Sequence, residues 1–263
     1  MSQQPARQPL GMPFIELQSV DSTNNYARSQ VHADLAHHGF AVFANYQTAG
    51  KGQPGKNWHS EMYENIALSL VIDPRPLPLT RQFELSAVIA TGCRSWLEEH
   101  TREGVSIKWP NDIYWQDRKA AGILIESVIG SLAPVNDEAS ATGQWKWAIA
   151  GIGVNINQVE FPEQLPNPVS LKQITGKQFD TGLLARELCG RLNQYYNRWQ
   201  EQGFSGIYEE YTRHLYRKGQ QVKLRRGQQV FEATIITVQE DGGLVIRHSI
   251  EETVYAGSLE WVK

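Results

Sequence analysis

Cationic, amide and carboxylate side chains occur together in short segments of this sequence and could bind an anionic ligand. The segment Lys108–Asp112 contains a lysine, a tryptophan, a proline, an asparagine and an aspartate. Pro110 should end a strand, which would leave Asn111 and Asp112 at its mouth. There Asp112 could help hold a magnesium ion bound to nucleotide phosphates. A strand end capped by an Asx turn is the alternative interpretation.

A second cationic position, Lys119, directly precedes two alanines, a glycine and a very apolar segment. A lysine that enters a core strand can reach an anion in a partly desolvated cleft, where Coulomb interactions are strong. The alternative is a surface lysine on a turn over residues 116–119.

The glycine-rich segment Gly50–Lys56 reads GKGQPGK and matches two nucleotide-binding patterns by letter, G-x-G-x-x-G and most of a P-loop. Both patterns require a helix directly after the loop, and residues 57–64 have no helical periodicity. We therefore reject both. The glycines still allow close approach of the backbone to a ligand, Lys51 and Lys56 add positive charge, and Trp58 adds a flat apolar surface. A flexible hairpin tip with solvated lysines is the alternative.

Two further segments combine small and amide residues. The segment Gly151–Asn157 reads GIGVNIN and ends an apolar run, so its glycines either clear room for a ligand or mark a bulged strand end. Ser22, Thr23 and Asn24 lie where a helix should begin, and a helix cap alone would explain them.

Composition limits the class of protein. The chain has 263 residues and a formal net charge of -3, which argues against a general nucleic-acid binder. The two cysteines, Cys93 and Cys189, favour buried free thiols over a disulfide framework. No apolar run resembles a signal peptide or approaches the roughly 18 residues of a membrane span. We therefore expect a cytoplasmic protein without a membrane partner.

Apolar periodicity predicts the elements that must position these residues. The predicted strands cover residues 14–17, 40–44, 65–72, 105–109, 112–115, 122–129 and 145–157, and the predicted helices cover 24–30, 82–100, 181–202 and 204–216. A loose hairpin connection is expected over 131–144. From residue 219 onwards, short strands at 221–224, 229–238, 244–247 and 253–256 predict a small barrel.

Taken in order, these segments resemble the biotin–protein ligase family. The matching segments are Asp21–Asn24, Gln47–Gly52 with Gly55–Trp58, Lys108–Asp112, Lys119 with Ala121–Glu126, and Gly151–Asn155. The resemblance implies an α+β fold, in which a mixed sheet flanked by helices forms a class II synthetase-like catalytic domain. It also implies a C-terminal SH3-like barrel, with the domains at residues 1–217 and 218–263.

The same resemblance implies an enzyme that activates biotin with ATP to biotinyl-5'-AMP and transfers it to a lysine of a biotin carboxyl carrier protein. Lys119 and Asp112 would be catalytic. Biotin would contact Ser22, Thr23, Asn24, Gln47, Lys51, Gly52, Gln53 and Lys119. The nucleotide would contact Lys51, Gln53, Lys56, Trp58, Asn111, Asp112, Gly151, Gly153 and Asn155. Mg²⁺ would lie near Asp112 and be held mainly by phosphates, because no metal site is made by the protein alone.

The sequence departs from the family in its glycine loop. The family loop usually reads G-R-G-R-x-G-R-x-W, whereas Lys51, Gln53 and Lys56 replace its arginines here. Lysine lacks the planar guanidinium fork and glutamine also lacks charge, so we expect weaker retention of the activated intermediate. No DNA-binding segment is expected before Phe14, hence no DNA partner, and a homodimer is possible.

Three other functions fit parts of the sequence. A lipoate–protein ligase would share the fold and the adenylate chemistry, but the polar residues at 22–24 and 47 suit a ureido ring better than a dithiolane. A non-catalytic biotin or nucleotide sensor would have no need of Lys119 and Asp112. A barrel-containing interaction module would leave the polar clusters without a role.

Overall fold

A mixed seven-stranded sheet forms the centre of the larger part of the chain. The computed structural model describes residues 7–53, 55–130 and 145–262. The strands of this sheet are β1 (Phe14–Leu17), β2 (Ala41–Ala44), β3 (Asn65–Ile72), β4 (Val105–Lys108), β5 (Asp112–Trp115), β6 (Arg118–Ile129) and β7 (Trp145–Asn155). Their order is β1-β2-β3-β7-β6-β5-β4, and β1 pairs with β2 in parallel whereas the other neighbours are antiparallel.

Helices cover both faces of this sheet. They are α1 (Thr23–His32), α2 (Gln82–Thr101), α3 (Leu171–Thr175), α4 (Thr181–Gln202) and α5 (Ser205–Arg213), and a short 3₁₀ turn, Leu79–Arg81, leads into α2. Helices α2 and α4 pack together over one face, and α1 packs on the other face against β2, β3 and β7. We call the face that carries α1 the site face, because the predicted ligand residues lie on it.

The two-residue period of a strand sorts side chains between the two faces. In β3, Leu68 and Leu70 join the large core under α2 and α4, whereas Val71 joins the smaller core under α1. Ser69 has the same parity as Val71 and therefore lies on the site face. In β7, Ile152 and Val154 face the large core, so Gly151 and Gly153, which alternate with them, face the site.

A β-bulge decides which face Lys119 occupies. In the β5–β6 hairpin, Ile113 pairs with Ala121, but the next pair joins Tyr114 to Lys119 and leaves Ala120 as the extra residue. Strict alternation would have placed Lys119 on the core face with Ala121. The bulge reverses this parity and turns the Lys119 side chain to the site face.

A second, five-stranded antiparallel sheet contains the last strands. These are β8 (Gln221–Arg226), β9 (Gln229–Val238), β10 (Leu244–Arg247), β11 (Glu251–Val254) and β12 (Glu260–Val262), in the order β11-β10-β9-β8-β12. Its contacts with the larger part of the chain include hydrogen bonds from Trp109 Nε1 to Gly242 O (2.9 Å) and from Tyr208 Oη to Val238 O (2.8 Å). The antiparallel β structure expected at the C-terminal end of the sequence is confirmed.

Most predicted elements are confirmed, although the ends of many of them shift by one to four residues. Strand β6 begins at Arg118 and not at residue 122, because residues 118–121 already pair with β5. The last predicted tail strand lies at Glu251–Val254, and both β12 and α3 were missed because each is very short. The final helix ends at Arg213, before the predicted residue 216. The connection predicted at 131–144 lies outside the described residues.

Both cysteines are buried and free, as expected. Within the described ranges, none of the helices combines the length and the apolar character needed to cross a bilayer.

Candidate functional site

The floor of the site is a patch of sheet almost without side chains. Gly122 of β6 pairs directly with Gly153 of β7, which in turn pairs with Ala67 of β3. The indole of Trp58 covers this patch. A Cβ added to Gly153 would lie 2.3 Å from Trp58 Cε2, and one added to Gly122 would lie 3.1 Å from Trp58 Cζ3. The glycines are therefore needed for the close approach of the Trp58 ring.

A donor on Trp58 has no acceptor in this arrangement. Its Nε1 is buried and has no hydrogen-bond partner among the described residues. A buried N–H without an acceptor costs free energy of folding. This cost is smaller in the bound state if a ligand supplies the acceptor.

Polar side chains gather at one end of the glycine floor, at the start of α1. Thr23 and Asn24 are 4% and 3% exposed, although both are polar. Gln47 Oε1 accepts from Thr23 N at 2.8 Å and lies 3.1 Å from Thr23 Oγ1. Ser69 Oγ lies 2.8 Å from Thr23 Oγ1 and donates to Asn24 Oδ1 at 2.6 Å. We call Thr23, Asn24, Gln47 and Ser69 the polar pole.

The glycine Gly151 makes room for the polar pole. A Cβ at this position would lie 2.3 Å from Asn24 Oδ1. Ser22, which is 1% exposed, is the N-cap residue of α1, but its side chain makes no capping hydrogen bond. A capping role therefore does not explain the Ser22 side chain.

A charged pair occupies the opposite end of the floor. Lys119 Nζ lies 2.7 Å from Asp112 Oδ1, and each side chain is 28% exposed. The same ammonium lies 5.8 Å from the centre of the Trp58 ring. We call Lys119 and Asp112 the charged pole. The Asn155 side chain holds the backbone at this end. Its Nδ2 lies 3.3 Å from both Lys119 O and Val169 O and donates to these carbonyls.

The glycine loop is a hairpin that folds over the charged pole. Lys51 and Asn57 form a bridge, and Gly52 N donates to Lys56 O at 2.9 Å. Gln53 Nε2 donates to Asn111 Oδ1 at 3.0 Å, which ties the hairpin to the turn between β4 and β5. No helix follows the loop, so rejection of the two phosphate-loop motifs is confirmed.

The two lysines of the loop differ in their surroundings. Lys51 Nζ donates to Asn25 Oδ1, and Asn25 Nδ2 donates to Asp21 Oδ2. The hydrogen bond from Asn25, assisted by the charge of Lys51, lowers the pKa of Asp21 below its usual value. Lys56 is exposed. Lys51 therefore links the loop to α1, whereas Lys56 extends into solvent.

A pocket of about 230 Å³ lies on another side of this loop. Gln47, Gly50 and Trp58 line one part of it, and Gln158 and Pro162 line another. Neither pole contributes a full set of side chains to its wall, so we define the site by its polar groups and not by this pocket.

Lys108 is a polar residue of the site face that the sequence singled out without giving it a role. Its ammonium donates to Tyr114 Oη at 3.1 Å and lies 4.8 Å from the ring centres of Tyr114 and Trp261 and 6.0 Å from that of Tyr216. Burial lowers the pKa of Lys108 to about 8, and the nearby Lys119 adds to this effect while Asp112 opposes it. Lys108 thus joins the charged pole to the C-terminal sheet.

Sequence reasoning gave no role to Ser69, which belongs to the polar pole, or to Glu126 and Arg28, which lie beside it. Glu126 Oε2 accepts from Asn24 Nδ2 at 2.7 Å, and its Oε1 accepts from Arg28 at 2.8 Å. The sequence did contain a pattern that could have identified two of these residues. Ser69 interrupts the apolar run of residues 66–72, and Glu126 interrupts that of residues 123–129. A polar residue in a buried strand needs a hydrogen-bond partner, so an isolated polar residue in an apolar run is a candidate site residue.

The fold and the site together place a group of polar side chains and a lysine–aspartate pair at the two ends of a glycine-lined patch on one face of a mixed sheet. Residues 16–134 match the biotin/lipoate A/B protein ligase family. The biotin–[acetyl-CoA-carboxylase] ligase of Paracoccus denitrificans is 30% identical over 218 residues, which cover 78% of this chain and 83% of that protein. The chain therefore belongs to the biotin/lipoate A/B protein ligase family.

Other relatives agree with this membership. The bifunctional ligase/repressor BirA of Bacillus subtilis is 26% identical over 240 residues, which cover 90% of this chain and 70% of that protein. The biotin protein ligase from Aquifex aeolicus, solved in complex with biotin and ATP, superposes with a TM-score of 0.77 at 26% identity. That comparison covers 95% of this chain and 100% of the Aquifex chain. The α+β fold expected from the sequence is thereby confirmed.

Proposed function

We propose that this protein is an ATP-dependent biotin–protein ligase. The observation that carries the proposal is the placement of a polar pole and a charged pole at the two ends of one apolar, glycine-lined floor. Biotin has the matching order of groups, with a ureido ring at one end, an apolar chain in the middle and a carboxylate at the other end. Relatives with biotin-ligase names and the Aquifex complex with biotin and ATP support this function.

In the first step, a biotin carboxylate oxygen attacks the α-phosphorus of ATP, the bond to the pyrophosphate oxygen breaks, and pyrophosphate leaves. The two reactants are both anionic, so the protein must offset their repulsion. The Lys119 ammonium is positioned at the end of the floor where the carboxylate and the α-phosphate would meet. It would stabilise the charge on the five-coordinate phosphorus, which is the largest contribution in such reactions.

In the second step, a neutral lysine amine of a carrier protein attacks the acyl carbon of biotinyl-5'-AMP, AMP leaves, and an amide bond forms. Water competes with this amine, so the mixed anhydride must be covered. The hairpin of the glycine loop is positioned for this role, since Gln53 contacts Asn111 beside the charged pole. The carrier that we propose is a biotin carboxyl carrier protein or domain of a carboxylase.

The charged pole offers a single carboxylate, Asp112, to a magnesium ion. Within residues 7–53, 55–130 and 145–262, no group of three or more His, Cys, Asp or Glu side chains is arranged to hold a metal. Asp112 uses Oδ1 for Lys119, which leaves Oδ2 for a cation. Mg²⁺ commonly takes one carboxylate together with phosphate oxygens and water. Asp112 would hold it, and the ion would offset phosphate charge.

The remaining site residues have roles that we assign as part of the proposal. Ser22, Thr23, Asn24 and Gln47 would form the head pocket, and Lys51, Gly52 and Gln53 would cover biotin and the phosphate. Trp58, Asn111, Gly153 and Asn155 would shape the nucleotide side, and Lys56 would meet phosphate from solvent. Gly151, which the sequence assigned to the nucleotide, lies against Asn24 and would instead shape the head pocket. We further propose a cytoplasmic protein whose catalytic and SH3-like domains cover residues 1–217 and 218–263.

A homodimer would use the β1 edge of the large sheet. The other outer strand, β4, is already covered, because Ile107 N donates to His214 O and Tyr216 N donates to Ile107 O, each at 2.8 Å. An open sheet edge is a ready site for strand pairing.

The decisive experiment combines purified protein with biotin, Mg-ATP and a biotin-accepting carrier domain, followed by mass spectrometry of the carrier. We expect one biotinyl addition that requires ATP. Parallel reactions with lipoate in place of biotin test the lipoate–protein ligase alternative. Biotin binding without transfer, under conditions where a known biotin ligase modifies the same carrier, would instead favour a sensor.

A further inference from the structure

One row of paired residues crosses the large sheet from the glycine floor to the outer strand β4. Gly153 of β7 pairs with Gly122 of β6, which pairs with Asp112 of β5. Asp112 pairs in turn with Lys108 of β4. Directly paired residues project from the same face of a sheet, so Lys108 lies on the site face. Neighbouring strands are about 4.8 Å apart, which places Lys108 roughly 10 Å beyond the floor at Gly122.

This row continues the line along which the proposed substrates would react. The polar pole lies over β3 and β7, at Ser69 and Gly151, and the biotin carboxylate would meet the α-phosphate at the charged pole. In an in-line displacement, the leaving group departs on the side of the phosphorus opposite the attacking oxygen. The carboxylate approaches from the floor, so the pyrophosphate would leave towards β4, where the Lys108 side chain lies.

The surroundings of the Lys108 ammonium hold it in place but do not neutralise it. It donates to Tyr114 Oη at 3.1 Å, so two of its three donors have no acceptor among the described residues. The rings of Tyr114, Tyr216 and Trp261 surround it at 4.8 to 6.0 Å from their centres. Within the described ranges, no carboxylate lies within 4 Å of its Nζ, and Asp112 is paired with Lys119 instead.

An anion would relieve this arrangement. Burial lowers the pKa of Lys108 to about 8, and the charges of Lys119 and Lys56 lower it further, so all three ammonium groups act on the same region. Asp112 is the one carboxylate that opposes them there. Buried charges in proteins are normally paired, because an unpaired charge is costly to desolvate. Three cations around one carboxylate therefore suit a ligand with several negative charges.

We propose that Lys108 binds the β- and γ-phosphates of ATP and stabilises the pyrophosphate that leaves in the first step. The proposal rests on the proposed function and adds a catalytic residue to it. As the bond between the carboxylate oxygen and the α-phosphorus forms, the bond from that phosphorus to the bridging oxygen breaks. The electron pair of the broken bond stays on the pyrophosphate, and the Lys108 ammonium offsets this charge. The three rings exclude water, which strengthens the contact.

The substitution Lys108→Met tests this assignment, because methionine keeps an unbranched apolar side chain between the rings and loses the charge. The measurement is the dissociation constant of the full chain for Mg-ATP and for AMP, by calorimetric titration in the presence of biotinamide, whose neutral amide does not form the adenylate. AMP lacks only the β- and γ-phosphates. We expect the affinity for ATP to fall about 10-fold to 100-fold and that for AMP to change less than about twofold, since one charge-assisted contact to the outer phosphates is lost.

Two further substitutions at this position separate charge from shape. Lys108→Arg keeps the cation and should keep the preference for ATP. Lys108→Gln can still donate to Tyr114 but is neutral, so it should lose the preference as methionine does. The matched control is Lys218→Met. Lys218 also makes a hydrogen bond of 3.1 Å, to Thr212 O, and it forms a bridge with Ile235 of the C-terminal sheet, so its loss reports on the attachment of that sheet. The control should keep both affinities.

The two half-reactions provide a second readout. Transfer of biotin from supplied biotinyl-5'-AMP to the carrier involves no pyrophosphate. Lys108→Met should therefore carry out this transfer at the wild-type rate while it forms the adenylate from ATP about 10²-fold more slowly. A ratio of ATP to AMP affinity equal to that of the wild-type protein would overturn the role of Lys108, even if both nucleotides bound more weakly. Failure of the wild-type chain to bind ATP or to form biotinyl-5'-AMP would instead overturn the proposed function.

Discussion

Lys119 Nζ and Asp112 Oδ1 are in contact at 2.7 Å across the β5–β6 hairpin, with 28% of each side chain exposed. A pair with this exposure contributes at most about 1 kcal/mol to folding. Its position beside the Trp58 ring and the hairpin of the glycine loop therefore has more consequence for ligand chemistry than for stability. Variants at this pair should fold, so that their activities can be interpreted.

Replacement of Lys119 tests the charged pole. We expect Lys119→Ala to lower the rate of adenylate formation by about 10²–10³, because one preorganised electrostatic contact is lost. The melting temperature should stay close to the wild-type value. The assay is pyrophosphate release with biotin and Mg-ATP, and the exposed Lys223→Ala in the C-terminal sheet is the control. Pyrophosphate release near the wild-type rate would contradict the role of Lys119.

A substitution in the glycine loop should make the protein retain biotinyl-5'-AMP more tightly. Gln53 contacts Asn111 with a neutral amide, whereas an arginine would bring a charge and a bidentate fork to the same place. We expect Gln53→Arg to release free biotinyl-5'-AMP several-fold more slowly. The measurement is the amount of adenylate that appears in a filtrate after a single turnover without carrier. Equal release by the two proteins would show that the residue at this position does not control retention.

A methyl group on the glycine floor should displace the Trp58 ring. We expect Gly153→Ala to weaken biotin and ATP binding by about tenfold or more and to change tryptophan fluorescence, since its Cβ would lie 2.3 Å from Trp58 Cε2. Strain of this kind costs about 1–3 kcal/mol. The control is Gly190→Ala in α4, where a Cβ meets nothing within 4 Å and a helix gains about 0.5–1 kcal/mol. Calorimetric titration that gave wild-type affinities for Gly153→Ala would be inconsistent with the close approach of this ring.

Trp261 covers Lys108, so its removal should change how the free energy of unfolding depends on pH. The folded-state pKa of Lys108, about 8, lies below its ordinary value of 10.5, so the folded chain loses this proton first as the pH rises. Between about pH 8 and pH 10.5 the unfolded chain therefore binds more protons than the folded chain. The contribution of Lys108 to the free energy of unfolding increases with pH over this range. Trp261→Ala admits water to Lys108 and raises its pKa, so this increase should become smaller.

The same substitution should lower the free energy of unfolding by about 1–2 kcal/mol at neutral pH, because a partly buried indole is lost. Urea unfolding at several pH values measures both effects, and NMR titration of the Lys108 side chain measures the pKa. Tyr255→Ala, at an exposed aromatic residue directly after β11, is the control. A Lys108 pKa that stayed near 8 in Trp261→Ala would mean that other groups exclude the water.

The sequence alone determined the order of most elements and supplied the polar residues of the candidate site. Apolar periodicity is a local property, so β3 and α4 were predicted with the bounds that they have in the structure. The polar clusters at 22–24, 50–58 and 108–112 were also visible, because glycine, proline and charged residues interrupt apolar segments. Which of these clusters would meet was implied only by the family resemblance.

Tertiary structure decided the contacts between residues that are distant along the chain. Alternation in β6 places Lys119 with the core residues, and only the bulge at Ala120 turns it to Asp112. The bond between Asn24 and Glu126 joins residues 102 positions apart, through the packing of α1 on the sheet. Such contacts depend on strand register and on helix placement, which are fixed when the whole core is buried and are therefore absent from any short stretch of sequence.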